Sequence, residues 1–198
     1  MSDTGEIASL IRSLGEGDAS IRASAANAIF NQGSELARAA ARHWLADAEL
    51  AACFVRDGAG TVKTTVGIAV MPETFEGIRD ANGSPRLSNV PPDQDAKEFE
   101  LDFPDGARLD ILTTREPGGA GAIARFLQKF GEGIQQVELE VNDVDRATEI
   151  LRARFALQPI YPATRPGADG TRINFFLVAA GPATKLLIEL VESEALSY

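Results

Sequence analysis

At 198 residues, 44% hydrophobic and 24% charged, the chain has the composition of a globular protein, long enough for one medium domain and an appendage and unlike a disordered or fibrous one. Its net charge of −10 opposes binding to nucleic acid or to anionic membranes through bulk electrostatics, because both need clustered Lys and Arg. The single Cys53 excludes an intramolecular disulfide, and no apolar run approaches the roughly 20 residues of a membrane span. The acidic start, MSDTGEIASLIRSLGEGD, has no uninterrupted apolar core, so a cytoplasmic location is the expectation.

Residues 1 to about 56 are Ala-rich, free of proline and patterned for helix. Ile7, Leu10, Ile11 and Leu14 fall at helical spacing, Gly15 and Gly17 interrupt it, and Asp18 is the predicted cap of a second helix carrying Ile21, Ala25, Ala28 and Ile29. A third helix is expected to begin at Ser34 and to run through Trp44, Leu45 and Phe54. The string LIRSLGEGDASIRASAANAI resembles a single HEAT-type helical repeat, and one repeat cannot bury its own apolar face. Residues 1–60 are therefore expected to be an all-α extension that docks on the rest of the chain or on a second subunit. The lone His43 beside Trp44, and Cys53 in its Ala-rich setting, read as packing residues of these helices.

From residue 61 onward the pattern changes to strands. Thr64 to Val70 reads as a strand, MPETFEGIRDANGSPR as a short helix and turn, and Phe99, Leu101 and Phe103 alternate with Glu98, Glu100 and Asp102 as a half-buried strand. Pro104–Asp105–Gly106 is a turn that joins it to a strand over Arg108 to Thr113. After the Gly-rich EPGGAG, a linker helix over 120–130 is marked by Ile123, Phe126, Leu127 and Phe130. Val137, Leu139 and Val141 alternate with Gln136, Glu138 and Glu140 as the next strand. Asn142 is the expected cap of a helix whose stripe is Val144, Ala147, Ile150 and Leu151. Phe155 to Ile160 predicts a short strand, PGADG at 166–170 a turn, and Arg172 to Val178 and Lys185 to Val191 two further strands. The fold class expected is α+β: two copies of a βαβββ unit, about residues 62–116 and 131–192, within a domain over 61–198.

VGIAV, AIARFLQKFGEGI, VNDVDRA, TRINF and LLIELVE resemble the vicinal oxygen chelate superfamily of glyoxalases, bleomycin-resistance proteins and dioxygenases, and within it methylmalonyl-CoA epimerase. The resemblance covers about residues 62 to 192 and implies paired βαβββ modules around a site where strand side chains hold a divalent metal. It maps the ligand positions onto Thr65, where the family has histidine, Asp110, where it has Gln or Glu, Gln136, where it has the second of two histidines, and Glu189, which is retained. It also implies two catalytic carboxylates, Glu98, which follows DQD, and Glu189. The implied ligand is a small molecule, an acyl-CoA or another carbonyl compound, and a homodimer is the expected assembly.

Strand alternation puts Gln136, Glu138 and Glu140 on one face, and Arg108, Glu138, Arg172 and Asn174 are the expected lining of a substrate pocket. Crowded carboxylates must bind a cation, pair with arginine or take up protons. One reading is a metal-assisted acid–base site; the other is a structural network in which Arg108 and Arg172 neutralise the acids. Without imidazole, Asp110, Gln136 and Glu189 are an all-oxygen set, so no cofactor is certain and any ion held is expected to be weakly bound Mg²⁺ or Mn²⁺ rather than Zn²⁺, Ni²⁺ or Co²⁺. The function expected is that of an isomerase or lyase moving a proton next to a carbonyl or thioester. The alternative is a non-catalytic protein that binds or sequesters a small molecule on the same fold. Arg125, Lys129, Arg152, Arg154 and Arg165 are the cations available to a CoA phosphate, or else solvated helix-face charges.

Overall fold

A computed structural model describes residues 4–181 and 184–193. In chain order its elements are α1 (Thr4–Ser13), α2 (Ala19–Ala41), α3 (Ala48–Cys53), β1 (Thr64–Ala69), α4 (Pro72–Ala81), β2 (Ala96–Asp102), β3 (Arg108–Thr114), α5 (Ala122–Phe130), β4 (Gly133–Glu140), α6 (Val144–Phe155), β5 (Arg165–Pro166), β6 (Arg172–Ala179) and β7 (Lys185–Glu192). They form two compact units. One joins the chain up to Gly33 to Thr65–Gln135, and the other joins Ser34–Thr64 to the chain from Gln136 onward. Each unit thus combines a piece of the N-terminal segment with one strand module.

In the first unit Asp18 starts α2 as its position predicts, its Oδ1 accepting from the Ser20 N–H and hydroxyl at 2.7 Å each. The helix does not restart at Ser34; it runs 23 residues to Ala41, because an Ala-rich stretch without proline gives the backbone no reason to stop. Gly33 lies inside it at a point where a Cβ would come within 2.6 Å of Val66 Cγ1 on β1, so helix and strand approach closely only because the side chain is absent. Ile11, Leu14 and Ile29 are fully buried. The Asn82 side chain, after α4, donates to the carbonyls of Leu14 at 3.0 Å and Ile78 at 2.8 Å and accepts from Arg22 Nε at 3.1 Å. The strand order is β2-β3-β1, with β2 and β3 antiparallel and β1 and β3 parallel. α4 and α5 pack on β3, and Phe75 of α4 meets Phe99 of β2 edge-on with ring centroids 4.8 Å apart.

In the second unit a 3₁₀ turn over Trp44–Ala46 precedes α3, which Asp47 caps by accepting from the Glu49 and Leu50 N–H groups. Trp44 and Phe54 are buried, whereas Leu45 is 37% exposed. The chain from Cys53 to Lys63 straps the end of β4. Val55 N donates to Glu140 O at 2.9 Å, Glu140 N to Lys63 O at 3.1 Å and Asn142 N to Cys53 O at 2.9 Å, and Lys63 pairs with Glu140 at 2.6 Å. The strand order is β4-β7-β6-β5, and α6 packs on β6 and β7.

Two expectations here are corrected. The cap of α6 is Asp143, accepting from Arg146 N at 2.8 Å, while Asn142 donates to Ala52 O at 3.0 Å. The expected strand over Phe155–Ile160 is absent, since α6 continues through Phe155 and ends at Ala156 in the left-handed region, φ 53°. The helix-favouring Arg152–Ala156 run outweighs its apolar residues, and only an isolated Pro159–Phe176 bridge remains. No helix among the described residues is long and apolar enough to cross a membrane.

Candidate functional site

The register of the second unit decides which side chains share a face. β4 and β7 run parallel with Gln136 beside Leu187 and Glu138 beside Glu189, and β6 opposes β7 with Phe175 across from Glu189. Residues side by side in a sheet point the same way. Gln136, Glu138, Phe175, Leu187 and Glu189 therefore occupy one face, and Val137, Leu139, Phe176, Ile188 and Leu190 occupy the other, against α6. Gln136 and Glu189 are 6% and 7% exposed. Gln136 Nε2 donates to Glu189 Oε2 at 2.5 Å and makes a longer contact, 3.4 Å, with Glu138 Oε1. A buried carboxylate requires such a donor, because removal from water penalises its charge.

Arg172 and Asn174 do not join this face. Asn174 lies opposite Leu190 and Arg172 opposite Glu192, so the two residues expected in the pocket point to the α6 side. Asn174 is fully buried, donating to Tyr161 O at 3.3 Å and accepting from Phe175 N at 2.9 Å. Arg172 pairs with Asp145 and, at 3.2 Å, with Glu192, and its hydrogen bond holds the Asp145 carboxyl below the usual carboxylate range. The face of β6 that adjoins Glu189 and Leu187 carries instead the alternating Ile173, Phe175 and Leu177. Arg165 does share it. Arg165 lies opposite Ile173 and over the Tyr161 ring at 4.4 Å, and Tyr161 meets Phe175 edge-on at 6.0 Å, an arrangement worth about 0.5–1 kcal/mol at exposed sites.

In the first unit Gly67 lies beside Asp110, and Glu98, Glu100 and Asp102 lie opposite Leu112, Asp110 and Arg108. Thr65, Glu98, Arg108 and Asp110 consequently share one face. Thr65 and Asp110 are 5% and 4% exposed, and Glu98 is half-buried. Arg108 pairs with Asp102 at 3.2 Å and reaches Glu100 at 4.0 Å, the neutralising role foreseen in the structural reading. Ahead of Glu98, Asp95 adopts φ 46° and accepts from the Thr114 hydroxyl at 3.1 Å. It sits against Gly121 at the start of α5, where a Cβ would lie 2.3 Å from Asp95 Oδ2. Asp95 thereby fixes the approach of the chain to Glu98.

Of the cations proposed for a phosphate, Arg154 is committed elsewhere. It bonds both Asp47 and Glu49, and Arg146 bonds Glu49 and Glu149. These contacts hold two carboxyls below their usual range. The Leu50 N–H and then Arg154 act on Asp47, and Arg146 and then Arg154 act on Glu49. Burial pushes the Cys53 thiol up, consistent with packing rather than nucleophilic use. Among the described residues no three His, Cys, Asp or Glu side chains gather as a metal site would require.

Comparison with solved structures finds methylmalonyl-CoA epimerases. The enzyme from Mycobacterium tuberculosis is 32% identical with a TM-score of 0.54, over 66% of this chain and 87% of that one. An epimerase in complex with methylmalonyl-CoA and NH4+ is 28% identical with a TM-score of 0.54, over 68% and 96%. A variant of the Streptomyces coelicolor epimerase in complex with 2-nitronate-propionyl-CoA is 26% identical with a TM-score of 0.52, over 68% and 99%. No family model and no curated protein matches the chain.

Proposed function

The chain belongs to the methylmalonyl-CoA epimerase-like branch of the vicinal oxygen chelate superfamily, and we propose that it is an isomerase or lyase that moves a proton on the carbon next to the carbonyl of an acyl thioester or related compound. The observation that supports this best is the buried Gln136–Glu189 contact on a face that also presents Phe175 and Leu187. The amide fixes one carboxylate oxygen and favours the ionised form that a base requires. Phe175 and Leu187 offer apolar surface to an acyl group. The C–H proton passes to a Glu189 oxygen, its bonding pair enters the carbonyl as an enolate, and return of a proton to carbon completes the isomerisation. Capture of epimerases with methylmalonyl-CoA and with 2-nitronate-propionyl-CoA supports the choice of substrate class.

A second reading is a binding protein without turnover, favoured by the same contact, since an amide–carboxylate pair is already satisfied and demands no reaction. Deuterium incorporation from solvent beside the carbonyl of methylmalonyl-CoA and a few related thioesters separates them. Exchange is expected with the unmodified protein and should fall at least about hundredfold in Glu189→Gln. Binding without exchange in any of the thioesters selects the second reading.

A further inference from the structure

We infer that the Gln136 amide stands in for a cation: the second module holds its working carboxylate with a neutral N–H donor, and its ligand chemistry is independent of divalent metal. This rests on Glu189 being the carboxylate of the proposed reaction, but its test reads ion binding rather than turnover.

The orientation of the amide carries the argument. With the terminal group of Gln136 2.5 Å from Glu189 Oε2, turning the amide over would bring two acceptor oxygens to that separation, so the nitrogen must face the carboxylate. An ion held jointly by Glu189 and Gln136 would need the amide oxygen at the shared centre, because hard cations take oxygen ligands. The positive end of the amide dipole stands there instead. Admitting an ion would break a hydrogen bond between two side chains that are each more than nine-tenths buried and would turn the Gln136 side chain over. Glu138, beside Glu189 in the register, is drawn toward the same nitrogen at 3.4 Å. One amide thus faces two carboxylates, where an imidazole–metal–carboxylate arrangement would face one with a charge of +2. The residues present do not fit the divalent ion that the superfamily implies, and the misfit lies in donor chemistry as well as in the loss of histidine.

The test uses the full chain, purified without chelator or metal resin. Mn²⁺ titration followed by electron paramagnetic resonance, with parallel Co²⁺ and Zn²⁺ calorimetry, is expected to show no saturable site at millimolar ion and the same melting temperature with and without EDTA. Gln136→Glu removes the donor and places a third carboxylate beside Glu138 and Glu189; it should bind one Mn²⁺ at least about tenfold more tightly than the unmodified protein. Gln136→His should acquire Co²⁺, visible in its absorption spectrum. Saturable one-to-one binding of Mn²⁺, Co²⁺ or Zn²⁺ by the unmodified protein, weakened in Gln136→Ala, overturns the inference, and so do folded Gln136→Glu and Gln136→His proteins that gain nothing. If neither variant folds, the titration of the unmodified protein decides. A protein that binds no ion and exchanges no proton leaves the inference standing while the isomerase reading fails.

Discussion

The two strand modules share a connectivity and differ in what they place at matching positions. In each, the first strand runs parallel to the last, and the last pairs antiparallel with the one before it: β1, β3 and β2 in the first, β4, β7 and β6 in the second. The registers equate Asp110 with Glu189, Gly67 with Glu138, Thr65 with Gln136 and Glu100 with Phe175. A carboxylate is thus kept on the last strand of both modules, while its surroundings diverge. Where the second module has a long amide and an aromatic ring, the first has a short hydroxyl and an exposed acid. Gln136 reaches across to Glu189 through two methylenes that threonine lacks. The same backbone can therefore present an oriented, amide-bound carboxylate or an acid-rich strand face, according to side-chain length at one position.

The sharpest way to break this comparison is to ask whether the modules stand without their N-terminal pieces. A chain starting near Gly60 loses Ile11, Leu14 and Ile29 from the first unit and the strap over β4 from the second. It is expected to lack a cooperative melting transition and to precipitate, as exposed apolar surface does. A soluble truncation with the melting temperature of the full chain would show that residues 1–60 are dispensable ornament. Next in size are the two cores. Phe99→Ala and Phe176→Ala should each lower stability by about 3–5 kcal/mol in denaturant titration, both rings being fully buried. A loss well under that range in one of them would mean that its module relaxes around the cavity and is the softer of the two.

Gly33→Ala is expected to cost about 1–3 kcal/mol through overpacking against Val66, with recovery in the double variant that also carries Val66→Ala; no recovery would move the cause from the close approach to the helix itself. The smallest effect is the acid response of the second unit. The folded-state carboxyls of Asp47 and Glu49 are lowered, so their contribution is complete above the unfolded values and is lost as pH falls through the folded ones. The melting temperature should therefore drop as pH falls through about 4 and below, less steeply in Glu49→Gln, and high salt should flatten the difference. An identical acid profile in the variant would remove Glu49 from that role.

Much of this architecture is readable from residue order. The period-two runs at Glu98–Phe103 and Gln136–Val141, the turn at Pro104–Gly106 and the cap at Asp18 each express a local rule with little competition, and their elements form where expected. Ser34 and Asn142 fail as caps because several residues nearby can serve: the helix stays intact past Ser34, and Asp143 takes the place of its neighbour. Polar character alone nominates Arg172 and Asn174 for the pocket, whereas the register turns both to the α6 side, where Asn174 donates to Tyr161 O inside the core. The Gln136–Glu189 contact joins strands 53 residues apart, and a sequence can nominate both residues without disclosing which end of the amide turns inward.

The account stands on a thioester ligand lodging against the Phe175–Leu187–Glu189 face, and calorimetric titration with methylmalonyl-CoA and related thioesters tests that most directly. It predicts saturable binding by the unmodified protein, retained in Glu189→Gln and weakened about tenfold, roughly 1.4 kcal/mol, in Phe175→Ala. No heat at millimolar thioester, or an unchanged affinity in Phe175→Ala, would contradict it.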